Sequence, residues 1–149
     1  MKNFRMKNTL ISLLLFFCLS INGCGEKDNN TKVGGRWYTQ SQVDKGRITF
    51  EANCAECHGN DAQGTLNWKT TLPDGSYPPP PLNGSAHTWH HPISALRRTI
   101  NNGGISLGGT MPPFKDILDD KDKLAVITFF QSKWNKEIYT AWLEIGGLQ

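Results

Sequence analysis

Apolar residues in this chain gather in one dense run near the start and in three helical stripes farther on. The run, residues 10–19, is shorter than the roughly 20 residues needed to span a bilayer. It follows the cations Lys2, Arg5 and Lys7, an order that predicts a secretory signal. Downstream, Val43, Gly46/Arg47, Phe50 and Cys54 recur at helical spacing, which predicts a first helix over residues 41–53 with Ser41 as its cap. A second is predicted over residues 92–101, opened by Pro92 and stopped by Gly103-Gly104. The third, over residues 120–134, begins with acidic residues that complement the helix dipole. Its stripe of Leu124, Ile127, Phe130 and Trp134, flanked by Val126 and Phe129, requires one wide buried face. A short amphipathic segment over residues 136–143 adds a further helix. The rest is Gly- and Pro-rich loop without strand alternation, so the fold class is all-α.

Composition narrows this picture. A chain of 149 residues that is 38% hydrophobic, with mean hydropathy −0.45, suits one small domain. Without Lys2, Arg5 and Lys7, the 16 Lys+Arg fall to 13 and balance the 13 Asp+Glu. No basic groove for nucleic acid is indicated. Residues 25–35 are polar and Gly-punctuated, as expected of a tether. A domain with so much loop has a thin core, and something besides side chains is expected to fill its middle.

Cys54-Ala-Glu-Cys57-His58 supplies that filler. C-x-x-C-H is the attachment signature of c-type haem. Its spacing lets two thiols reach the two vinyl groups of one porphyrin while the adjacent imidazole reaches the iron. Two other chemistries share part of the pattern. A thioredoxin-like redox pair needs a βαβ surround that the sequence lacks. A zinc site could join Cys54 and Cys57 to His87 and His90. Haem alone accounts for His58 and the thin core together. With haem present, Met111 becomes the candidate second axial ligand, being the sole Met beyond the signal. It lies in Gly108-Gly-Thr-Met-Pro-Pro-Phe114, a loop that glycines let approach closely and prolines stiffen; without haem it would be an ordinary packing residue.

Over residues 37–134 the chain resembles a mono-haem class I cytochrome c, with C-x-x-C-H upstream and a Met loop before the last core helix. The resemblance implies three core helices and Gly/Pro-rich loops around one covalent haem c. It implies that Gly46 and Phe50 meet Phe129 where the first and last helices cross. Pro80-Pro-Leu-Asn-Gly84 matches the family's P-x-L-x-G stretch. By that match the Pro80 (or Pro79) carbonyl would hold the His58 ring, and Leu82 would pack on the haem. Iron closed by His58 and Met111 suits outer-sphere transfer of single electrons rather than catalysis on a substrate. The expected protein is therefore a carrier between redox partners and not an enzyme. One alternative is an electron-input subunit of a respiratory enzyme. Another is a copper- or metal-binding cytochrome using His87, His90 and His91, although local structure, with Trp89 or a His bonding a haem propionate, is the preferred reading of that cluster. Trp37, Tyr38 and Trp68 are expected to be packing or rim residues.

The end of the signal, Ile21-Asn-Gly-Cys24, resembles a bacterial lipobox. That resemblance implies cleavage after residue 23, acylation of Cys24, a tether over residues 24–35 and a cytochrome domain over residues 36–149. It places the domain on the periplasmic face of a membrane, held by a diacylglycerol thioether and an amide-linked acyl chain, since more than one chain makes anchoring stable. Gly25 lacks the acidic side chain associated with inner-membrane retention, which favours the outer membrane.

Overall fold

The computed structural model describes residues 30–149, so Cys24, the lipobox and the signal lie outside the described residues. Five α-helices are described: α1 (Gln40–Asn53), α2 (Ala55–His58), α3 (Ile93–Asn102), α4 (Asp120–Ser132) and α5 (Lys136–Glu144). Short 3-10 turns occupy Val33–Gly35, His87–His90 and Ile105–Leu107. Among the described residues, β pairing is limited to two single bridges, Lys32 with Thr39 and Tyr77 with Gly109. The chain is all-α.

The cap of α1 is Thr39, not Ser41. The Thr39 side chain accepts from the Gln42 amide while the Gln42 side chain accepts from the Thr39 amide, a reciprocal pairing that satisfies two otherwise orphaned donors. Pro92 stands just before α3, and Gly103, at φ 79°, ends it. Asp119 caps α4 by accepting from the Asp122 amide at 2.7 Å. Asn135 does the same for α5 through Ile138.

Helices α1 and α4 cross at Gly46, where a Cβ would collide with the Ala125 carbonyl. Phe50 and Phe129 lie beside the crossing with ring centroids 5.0 Å apart. Helix α4 buries a different set from the expected stripe: Lys123 and every residue from Ala125 to Gln131 are buried, whereas Leu124 is only half-buried and Trp134 lies beyond the helix end. Two of them, Thr128 and Gln131, are polar and fully covered, because α1, α3 and the segment preceding α1 all pack around this helix. Thr128 Oγ1 donates back to the Ala125 carbonyl and Gln131 Oε1 accepts from Trp37 Nε1, so burial leaves neither oxygen unpaired.

The tether expected through residue 35 ends earlier. Val33 packs on the core and its amide donates to the Tyr38 carbonyl. Arg36 then reaches the end of α4, donating to the Gln131 and Trp134 carbonyls at 2.6 Å each. Its guanidinium also lies 4.5 Å from the Tyr139 ring centroid, and Tyr139 Oη accepts from the Trp37 amide. Tyr38 is wholly enclosed and Trp37 half-buried, as expected of packing residues.

Candidate haem site

Cys54 closes α1 and starts α2. Its amide donates to the Phe50 carbonyl at 2.8 Å, and its own carbonyl accepts from the His58 amide at 2.9 Å. The two helices thus continue almost without a break and bring Cys54, Cys57 and His58 onto successive turns. The two cysteines form no disulfide with each other; Cys54 is partly covered and Cys57 exposed. Burial, reinforced by the neighbouring Cys57 sulfur, pushes the Cys54 thiol up to about 11, so it is a protonated thiol at neutral pH.

His58 is only 8% exposed. Its Nδ1 donates to the Pro80 carbonyl at 3.0 Å, which selects Pro80 over Pro79 as the ring's partner. Burial lowers the imidazole pKa, with the Pro80 bond pulling the other way, so the ring is neutral with its free lone pair on Nε2. The proline stretch is fixed from several directions. The Gly64 amide donates to the His58 carbonyl at 2.7 Å, and Gly64, at φ 61°, lies so close to the Pro80–Pro81 peptide that no Cβ fits. Thr88 Oγ1 donates to the Pro81 carbonyl at 2.9 Å. Leu82 packs on the core; its amide donates to Ala62 and its carbonyl accepts from Trp134 Nε1, each at 2.8 Å.

Met111 is partly buried against the same core. Its carbonyl accepts from the Gly104 amide at 2.9 Å, and a Cβ on Gly103 would lie 2.6 Å from that oxygen. The glycines after α3 therefore serve a close approach: the Met loop folds down on the helix end because no side chain intervenes. Phe114, buried, closes the loop by donating its amide to the Ile100 carbonyl at 3.0 Å.

The imidazoles of the 87–91 segment diverge. His87 stacks on Trp68 at 4.9 Å and His90 on Trp89 at 3.7 Å, while His91 meets His87 edge-on. Among the described residues no three His, Cys, Asp or Glu side chains gather around a common metal position. Among the described residues, the zinc alternative through Cys54, Cys57, His87 and His90 and the copper alternative through His87, His90 and His91 are therefore not assembled; His87 and His90 stack instead on Trp68 and Trp89. Gly64, Tyr77 and Trp134 each brace a site loop, a role the sequence does not reveal even for Trp134, which it assigns to the buried stripe. The signals were faint: one glycine in a polar stretch, one aromatic among loop residues, and an indole indistinguishable from core packing.

The donor set present suits haem c: two thiols, a neutral imidazole with Nε2 free, and a thioether on a second loop. Residues 41–130, more than half of the chain, match the family model described as cytochrome c oxidase, cbb3-type, subunit III. The chain belongs to that family. This cytochrome domain is 33% identical over 88 residues to a cbb3-type cytochrome c oxidase subunit CcoP of Azospirillum sp. (strain B510), covering 59% of the chain and 27% of the relative. It is 35% identical over 78 residues to the CcoP subunit of Azospirillum brasilense, covering 52% and 24%. It is 32% identical over 85 residues to the FixP subunit of Sinorhizobium medicae (strain WSM419), covering 53% and 26%. The chain thus spans about a quarter of the length of these relatives. No solved structure matches the cytochrome significantly. It is a class I, electron-transfer cytochrome c whose cofactor is haem c. No described helix is long and apolar enough to cross a membrane.

Proposed function

We propose that the domain holds one haem c, attached through Cys54 and Cys57 and ligated by His58 and Met111, and hands single electrons to a respiratory oxidase of the cbb3 type. The anchored imidazole carries this reading: His58 Nδ1 is committed to the Pro80 carbonyl, which orients the ring and leaves Nε2 as the ligating atom. When bound, the haem supplies a site that takes up and releases one electron. The chain's own residues determine how. His58 and Met111 would hold the iron, Leu82 would pack beside the haem, and Trp134 keeps the Leu82 backbone in place. A closed, rigid site suits outer-sphere transfer and disfavours substrate chemistry.

The expectation from the sequence is a membrane-anchored single-electron carrier, with an electron-input subunit of a respiratory enzyme as one alternative. The relatives named CcoP and FixP are oxidase subunits, which favours the alternative: the domain is an electron-input module. Cys24 would anchor it through acyl chains at the periplasmic face of the membrane that carries the oxidase, rather than at the outer membrane suggested by Gly25, and its partners would be redox proteins. The test is expression of the full chain in a host competent for cytochrome maturation. Covalent haem at one equivalent per chain, and oxidation of the reduced protein by membranes containing a cbb3-type oxidase, are expected. Colourless protein overturns the haem assignment. Red protein that such membranes leave reduced overturns the assignment of partner.

A further inference from the structure

Residues 65–79 leave the His58 side of the site and return to it. The Thr65 amide donates to the Pro79 carbonyl at 2.9 Å, closing the base of this strap next to Pro80. Its tip is set by its own bonds. The Leu72 amide donates to the Ser76 carbonyl and the Gly75 amide to the Leu72 carbonyl, at 2.8 and 2.9 Å. The Asp74 carboxylate accepts from the Ser76 amide at 2.9 Å and from the Ser76 hydroxyl at 2.6 Å. This rigid tip presents Tyr77 to the other loop of the site. The Tyr77 amide donates to the Gly108 carbonyl at 2.7 Å, and Tyr77 pairs with Gly109 in a single parallel bridge. Gly108 is at φ 81°, and a Cβ there would lie 3.5 Å from the Tyr77 ring. The loop carrying Met111 is thus gripped twice, by Gly104 from the helix end and by Tyr77 from the strap.

We propose that Tyr77 is a positioning residue whose backbone amide holds the loop of Met111 and so sets how readily Met111 yields its place to another ligand. The inference rests on the reading of Met111 as an axial ligand. A strap rooted beside Pro80 and hooked on Gly108 ties the support of one axial residue to the support of the other. Neither loop can swing out without breaking the Tyr77 bond. An outside ligand replacing Met111 must open that bond as well.

The test is imidazole binding to the ferric holoprotein, followed by loss of the weak long-wavelength absorption band of a thioether-bound haem. Tyr77→Pro removes the donor, and loss of one net hydrogen bond should raise imidazole affinity about tenfold. Tyr77→Ala keeps the donor and should change affinity by less than about threefold. Equal affinities in wild type and Tyr77→Pro overturn the proposal, as does an equal rise in both variants. Where Tyr77→Pro does not fold, amide exchange in the wild type decides. Saturating imidazole should speed exchange at Tyr77 together with Gly104 by tenfold or more, and unchanged exchange at Tyr77 sinks the idea. A wild type lacking the thioether band, with a spectrum unaltered by Met111→Ala, would remove the parent reading and the proposal with it. A present band with indifferent affinities removes the proposal alone.

Discussion

Gly46 on α1 and Ala125 on α4 meet backbone against backbone, with no space between them for a side chain. In an isolated helix Gly→Ala gains about 1 kcal/mol. Here the added methyl strikes a carbonyl oxygen that belongs to the buried α4, and it also crowds the Phe129 Cβ at 3.1 Å. Gly46→Ala is expected to destabilise the domain by about 1–3 kcal/mol, and Gly46→Val by more. Urea unfolding of the holoprotein measures both. A stabilised Gly46→Ala would mean that the helices separate at little cost.

The candidate ligands predict distinct optical outcomes. Met111→Ala should keep haem covalently attached while opening an axial position that binds carbon monoxide in the reduced protein. Cys54→Ala with Cys57→Ala should leave haem extractable by acidified acetone. Carbon monoxide binding by the wild type as readily as by Met111→Ala would argue against the closed site.

How much of this could be read beforehand varied with the range of the interaction. Cys54, Cys57 and His58 lie close together in sequence, so their grouping at the end of α1 is legible from spacing alone. The α3 limits are too, because Pro92 and Gly103 act locally. The Thr39–Gln42 capping pair was also present as a T-x-x-Q signature, but Ser41 lay nearer the first apolar position and obscured it. Helix α2 has four residues, too few for any periodicity. The enclosure of Gln131 could not be read from its polarity, since it depends on Trp37 arriving from a segment 94 residues away. The role of Tyr77 likewise depends on a glycine pair far along the chain.

Trp134 and Leu82 offer a probe of how the proline stretch is held. The indole is 2% exposed and donates to the Leu82 carbonyl at 2.8 Å. Trp134→Phe should leave that carbonyl without its partner and cost about 1–3 kcal/mol, seen as a lower thermal midpoint. Unchanged stability would imply that water replaces the indole.

Tyr38 makes stability depend on alkaline pH. Burial pushes its phenol up to about 12 from 10.0, with Arg36 pulling the other way. The native state thus holds the phenolic proton more tightly than the unfolded chain does. The associated stability, roughly 2–3 kcal/mol, is complete below pH 10 and is lost as pH rises through about 12. Tyr38→Phe should flatten the fall of unfolding free energy across that window. An equally steep fall in the variant would locate the alkaline sensitivity elsewhere.

The clamp formed by Arg36 has a mechanical consequence. A pull on the chain ahead of it bears on the Gln131 and Trp134 carbonyls, and Trp134 is one hydrogen bond from the Leu82 backbone. Strain applied at the leading end therefore runs down the last turn of α4 to the segment that seats His58. Arg36→Ala would remove those two bonds and shift the load onto the bonds of Trp37 to Gln131 and Tyr139, loosening the tie between the leading segment and the proline stretch.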